Sequence, residues 1–275
     1  VTLTFTASET IATPVVTFVS GGAAITDTSV TYVNTSGNIW TAAYTANASD
    51  TDGSVTYSIA FSDSAGNAGT AVTSGSGSVT FDKTSPTAAI TYSYAAPYKN
   101  GGTNVTITAT FNGAVLDSPT PTIAIAGSGI ANVSSANMSK TSTTVYTYTY
   151  AVPTGDGTGT VTVGTGTDAA GNVVTSTPTS GATFTVDNTA PTAAITYSYA
   201  APYKNGGTNV TITATFNGAV LDSPTPTIAI AGSGIANVSS ANMSKTSTTV
   251  YTYTYAVPTG DGTGTVTVGT GTDAA

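Results

Sequence analysis

Residues 87–115 read TAAITYSYAAPYKNGGTNVTITATFNGAV, and the same letters stand again at 192–220. Within that stretch Val105, Ile107, Ala109 and Phe111 alternate with Thr106, Thr108 and Thr110. Successive strand side chains point to opposite faces, so this alternation is a strand with one buried face and one threonine face turned to water. The identity continues beyond it: Thr87 to Ala170 recurs from Thr192 to Ala275, 84 residues at a displacement of 105.

The first 80 residues are a divergent copy of the same unit. VTLTFTASETI at 1–11 parallels VTITATFNGAV at 105–115, and FSDSAGNAGT at 61–70 parallels GTDAAGNVVT at 166–175. The seams also repeat, as FDKTSPTAAI at 81–90 and VDNTAPTAAI at 186–195. Three tandem modules follow: residues 1–82, lacking the first strand; 83–187, complete; and 188–275, lacking the last strand. Val1 falls at a module's second strand, and Ala275 stops inside a TDAAGN turn. The expectation is a window on a longer array. The rival is a filament subunit completed by strands from its neighbours.

The complete module carries further period-two runs. These are Ile90, Tyr92 and Tyr94; Ile123 and Ile125; Tyr146, Tyr148 and Tyr150; Val161 and Val163; and Phe184 and Val186. Turn clusters separate them, such as Lys99-Asn100-Gly101-Gly102, Gly127-Ser128-Gly129 and Thr154-Gly155-Asp156-Gly157. About seven short strands in ~100 residues predict an antiparallel two-sheet sandwich, and no window shows a helical stripe. The fold class is all-β.

Composition narrows the chemistry. The chain of 275 residues has 13 acidic and 5 basic side chains, a net charge of −8, and no Cys, His or Arg. Thiolate or imidazole zinc sites, haem ligation, thiol chemistry and Ser–His triads lack their residues. The acidic balance argues against a nucleic-acid partner. No apolar run approaches the ~18–20 residues of a membrane span, and no secretory signal opens the sequence.

The seams DKTSP and DNTAP, with the turns SDSAGN and TDAAGN, resemble those of bacterial immunoglobulin-like repeats. Such repeats occur in large surface proteins: biofilm adhesins, extender regions of giant adhesins and surface-layer proteins. The resemblance implies tandem immunoglobulin-like sandwiches forming a stiff extracellular stalk at the cell surface, without catalysis. It also implies calcium near domain junctions, although this sequence carries fewer carboxylates than the richest calcium binders.

Calcium takes about six to eight oxygen ligands. The candidate ligands are Asp82 and Asp187 at the seams, and Asp63 and Asp168 opening the DxAGN turns. If both turn types lie at one end of a sandwich, Asp168 and Asp187 approach a single ion. The competing reading is that each carboxylate accepts backbone N–H groups of its own turn. Asp27, Asp50, Asp52, Asp117, Asp156, Asp222 and Asp261 read as solvated turn residues.

The tyrosine stripe 146–150 reads either as core or as a platform for glycan. Core is favoured because buried tyrosine supplies bulk with its hydroxyl at the rim. Tyr98 and Tyr203 are expected to be exposed or to pack on a neighbouring module. The partners expected are neighbouring modules of the same chain, with cell-surface glycans or like chains as further candidates. Only Lys83–Ser85 and Asn188–Ala190 separate each seam aspartate from a proline, so the joints should be stiff.

Overall fold

The structure is a computed structural model describing all residues, 1–275, and every regular element in it is a β-strand. In the middle module, one sheet runs Ser139–Lys140, Val145–Tyr150, Val105–Phe111, Ala88–Tyr92. The other runs Val133–Asn137, Thr122–Ala126, Gly157–Gly164, Thr183–Val186. All of these neighbours are antiparallel. The register sets Tyr146 opposite Ala109 and Tyr148 opposite Ile107, while Thr147 faces Thr108. Large and small residues therefore meet on the inner face and hydroxyls on the outer one.

Nineteen buried residues form the core between these sheets, among them Val105, Ile107, Phe111, Ile123, Tyr146, Tyr150, Val161 and Phe184. The tyrosine stripe lies inward, as read from the sequence: Tyr146 and Tyr150 are buried and Tyr148 packs against the cluster. The Tyr146 hydroxyl donates to the Val115 carbonyl and to Asp117, which also pairs with Lys140 at 2.8 Å. Trp40 stands opposite Phe5 in the first module, the place that Tyr146 holds opposite Ala109, and it is buried too.

Tyr98 corrects the sequence-based expectation, because it is 1% exposed. The chain after Ala88–Tyr92 crosses to the other sheet. There the Tyr98 N–H donates to Thr185 and its carbonyl accepts from Asp187, a parallel bridge to the last strand. Its ring packs 5.0 Å from Tyr94 and 5.7 Å from Phe184. No period-two pattern marks this residue, since it is buried by a single crossing rather than by a strand face.

The outer modules have the same layers with one strand fewer. The first has Thr2–Thr6, Ile39–Ala43 and Thr31–Ser36 in one sheet, and four strands in the other. The third has four strands in one sheet and Val238–Asn242, Thr227–Gly232 and Gly264–Gly269 in the other.

Each module keeps its own core, and no cluster mixes residues from two modules. The accessible surface is 14594 Å². A single globule of 26.9 kDa would expose about 10,800 Å², whereas three independent domains of a third that mass would expose about 14,500 Å². The modules therefore lie in line of sequence and bury little against one another. Any stiffness must come from the seams.

Candidate functional site: the module junctions

At the first junction Asp82 closes an Asx turn, its Oδ1 accepting the Thr84 N–H at 2.9 Å. Asp187 does the same with Thr189 at 3.0 Å. Against the linker stands a second carboxylate of the same module, one that no sequence motif singles out. Asp52 Oδ1 accepts the Lys83 N–H at 3.1 Å while its Oδ2 accepts the Thr84 hydroxyl. Asp156 holds Asn188 and Thr189 in the same way, with the Asn188 N–H at 2.5 Å. One clasp is thus built twice.

The residue after each seam aspartate completes it, by different chemistry. Lys83 Nζ donates to the carbonyls of Ala48 at 2.9 Å and Asp50 at 2.5 Å. Asn188 Nδ2 donates to Gly155 at 2.9 Å and Pro153 at 3.2 Å, and its Oδ1 accepts the Asn100 N–H at 2.7 Å. Both side chains reach back to carbonyls of the loop that carries the clasp carboxylate. Below Lys83 the Asp50 carboxylate is buried and accepts the N–H groups of Thr26 at 2.7 Å and Asn47 at 2.9 Å. It too is a structural residue rather than a solvated one.

Glycine positions the clasp loops. Gly129 adopts φ +72, and a Cβ there would lie 1.9 Å from the Asp156 carbonyl oxygen. Gly21, at φ +55, stands 2.3 Å by the same measure from the Asp52 carbonyl. Only residues without a side chain let the two loops close backbone to backbone and hold the carboxylate against the seam.

The following module grips the other half of the linker. Asn172 Nδ2 donates to the Asp82 carbonyl at 3.1 Å, and the Thr175 N–H donates to Pro86 at 2.8 Å. Thr87 and Asn112 exchange two bonds, at 2.9 and 3.0 Å. At the second junction Thr192 and Asn217 repeat that exchange at the same distances.

Asp168 and Asp187, the pair that the sequence reading set on one ion, are not brought together. The Asp168 turn lies at the start of its module, beside Asp82, and Asp187 lies at the opposite end beside Asp156. Asp168 Oδ1 accepts from Ala170 and Asn172, both at 2.9 Å, and Oδ2 accepts the Asn172 side chain. Asp63 is held likewise by Ala65 and Asn67. No three carboxylates gather anywhere in the chain. Both carboxylate oxygens of Asp63 and Asp168 are engaged by turn donors, whereas Asp82 and Asp187 each engage Oδ1 alone.

The electrostatics follow from the hydrogen bonds. The Thr189 hydroxyl, then the Asn188 N–H, holds the Asp156 carboxyl below its ordinary 3.8. Burial pushes Asp168 upward, but the donors of Asn172, Ala170 and Gly171 outweigh it and leave that carboxyl low as well. A depressed carboxylate stabilises the fold fully above its unfolded value. That contribution is lost as pH falls through the folded value. The second junction should therefore keep its geometry at neutral pH and loosen below pH 3.8, and scattering curves recorded across that range will show it.

No family model matches the sequence, and neither does any curated protein. Among solved structures the chain is similar to a tetra-tandem repeat in the extending region of a large adhesion protein. The identity is 17%, covering 99% of this chain and 70% of the other, with a TM-score of 0.37. It is also similar to an I-band fragment from titin, at 13% identity over 91% of this chain and 80% of that one, TM-score 0.34. Both are tandem chains of immunoglobulin-like domains.

Proposed function

We propose that the chain is a non-catalytic spacer, a stiff segment of an extracellular surface protein that sets distance rather than binding or converting a ligand. The observation that carries this reading is the clasp repeated at both junctions. Lys83 and Thr84 are fixed to the first module by Asp52, while Pro86 and Thr87 are fixed to the second. Ser85 alone lies between, with proline following it. A joint pinned on both sides of one residue has few rotations left. The location outside the cell rests on the resemblance of the seam motifs to surface-protein repeats.

The test removes the clasps and leaves the cores alone. In the Asp52→Ala/Asp156→Ala double variant, small-angle scattering should give a broader distance distribution and a shorter maximum dimension, with unchanged far-UV circular dichroism. A variant whose profile superimposes on the parent's sinks the spacer mechanism. Calcium and chelator are expected to give superimposable profiles for the parent chain if the hydrogen bonds of the clasp suffice to hold the joint. A calcium-dependent lengthening would return the seam aspartates to the role of ligands.

A further inference from the structure

Asparagine precedes glycine at Asn100, Asn112, Asn205 and Asn217. Two of these asparagines grip the linkers. The Asn112 N–H donates to the Thr87 carbonyl at 3.0 Å, and its Oδ1 accepts the Thr87 N–H at 2.9 Å. Asn217 and Thr192 repeat the pair at the second junction. Asparagine is a thermolabile residue. Before glycine it is most exposed to attack by its own chain, because no Cβ hinders the following backbone nitrogen from reaching the side-chain carbonyl carbon.

The fold prepares Asn112 for that attack. The Gly113 N–H makes no hydrogen bond, so its nitrogen is free to react. The Thr87 N–H already points at Oδ1, where negative charge develops once the carbonyl carbon is attacked. The departing group, Nδ2, has no partner, and the side chain is exposed. Asn217, Gly218 and Thr192 are arranged alike. Asn100 and Asn205 have the opposite arrangement. There Nδ2 is held, donating to Val152 at 2.6 Å and to Val257 at 2.8 Å, and no donor meets Oδ1.

We infer that Asn112 and Asn217 are sites of self-modification that unlock the linkers. The Gly113 nitrogen gives its proton to hydroxide and bonds to Cγ of Asn112. The resulting oxyanion rests on the Thr87 N–H. As it collapses the Cγ–Nδ2 bond breaks, and ammonia leaves with a proton from water, which restores the hydroxide. One water then opens the five-membered succinimide. Where it cleaves the bond between the Asn112 main-chain carbonyl carbon and the Gly113 nitrogen, the product is isoaspartate. The chain then runs through Cγ with an added methylene, and the new carboxylic acid passes its proton to the ammonia. One water is consumed and one ammonia released, with no oxidant or reductant. The oxygen that accepted the Thr87 N–H has become a main-chain carbonyl, so the following module loses that hold and gains a negative charge beside the linker. The loosening of the joint rests on the spacer reading; the conversion does not.

The test incubates the chain at mildly alkaline pH, folded and in guanidinium, and follows each site by tryptic fragmentation and isoaspartate analysis. Residues 100–140 and 205–245 give identical peptides, so Gly113→Ala and Gly218→Ala separate the two copies. Neither substitution strains the fold: a Cβ there meets nothing within 4 Å, and neither glycine is left-handed. In the folded chain Asn112 and Asn217 should convert at least about 10-fold faster than Asn100 and Asn205, and in guanidinium the rates should converge. Each glycine substitution should stop conversion at its own site. Scattering from the converted chain should show a broader distance distribution, and the Gly113→Ala/Gly218→Ala chain incubated alongside should keep the parent's. Absence of conversion at Asn112 and Asn217 in the folded chain overturns the inference, as does equally fast conversion of Asn100 and Asn205. Conversion with an unbroadened profile overturns the unlocking, whereas the spacer reading is decided on the unincubated Asp52→Ala/Asp156→Ala chain.

Discussion

Phe184→Ala should cost the middle module about 3–5 kcal/mol, a large part of the ~5–15 kcal/mol that holds a domain of this size folded. Its ring is 3% exposed, at the meeting point of Tyr92, Tyr98 and Tyr150. The neighbours are held by strands on both sheets and cannot collapse inward to fill the space. Guanidinium denaturation should show one transition moving to lower denaturant and the others unmoved, since no core cluster spans two modules. The seam should suffer as well. Asp187, Asn188 and Thr189 follow the strand directly, so a strand that frays releases the clasp from one side. A loss below about 1 kcal/mol would place the ring outside the core and contradict the packing described above.

Gly129→Val should be nearly as severe and should reach the junction by another route. A β-branched residue at φ +72 costs about 1–2 kcal/mol in backbone strain. The new Cβ must also displace the Asp156 carbonyl, which lies 1.9 Å from where it would sit, adding about 1–3 kcal/mol. The displaced loop carries the clasp carboxylate with it, so scattering should report a looser second junction alongside the lost stability. Gly234→Val is the matched control. It makes the same clash with Asp261, at 2.1 Å, but no seam residue stands against that carboxylate. Equal stability losses with loosening in Gly129→Val alone would tie the loop to the joint. Equal loosening in both would separate them.

Much of the fold was legible because β-sandwich burial writes itself at period two. The alternation Val105-Ile107-Ala109-Phe111 against Thr106-Thr108-Thr110 became a strand with the inner residues buried, and the tyrosine stripe faced the core. The seams were legible as seams because they repeat. Tyr98 was not legible, because one residue buried by a crossing between sheets has no periodicity to announce it. The clasp carboxylates were missed for a related reason. Asp52 and Asp156 lie about thirty residues from Thr84 and Thr189, in loops that read as solvent-exposed turns. Their one sequence signal was the glycine on each side of Asp156, matched by the Gly-Ser-Gly loop at 127–129.

The placement of the acidic turns shows the same division. Asp63 and Asp168 were readable as turn residues, since DxAGN supplies the donors within five residues and local geometry suffices. Which end of the sandwich that turn occupies was not readable, because it depends on how many times the chain crosses between the layers. The crossings put Asp168 beside Asp82 and leave Asp187 with Asp156.

The sequence alone determined the all-β character of the chain and the inner and outer face of each main strand. Repetition and alternation are properties of the chain's order, and hydrophobic burial enforces them wherever a sheet has one dry side. Only the tertiary structure decided what locks the joints and which single residues, such as Tyr98, the crossings between sheets bury. Both depend on groups far apart in sequence being carried to one place by the strand crossings, as Asp52 is to Thr84 and Tyr98 to Val186, and no local pattern encodes that distance.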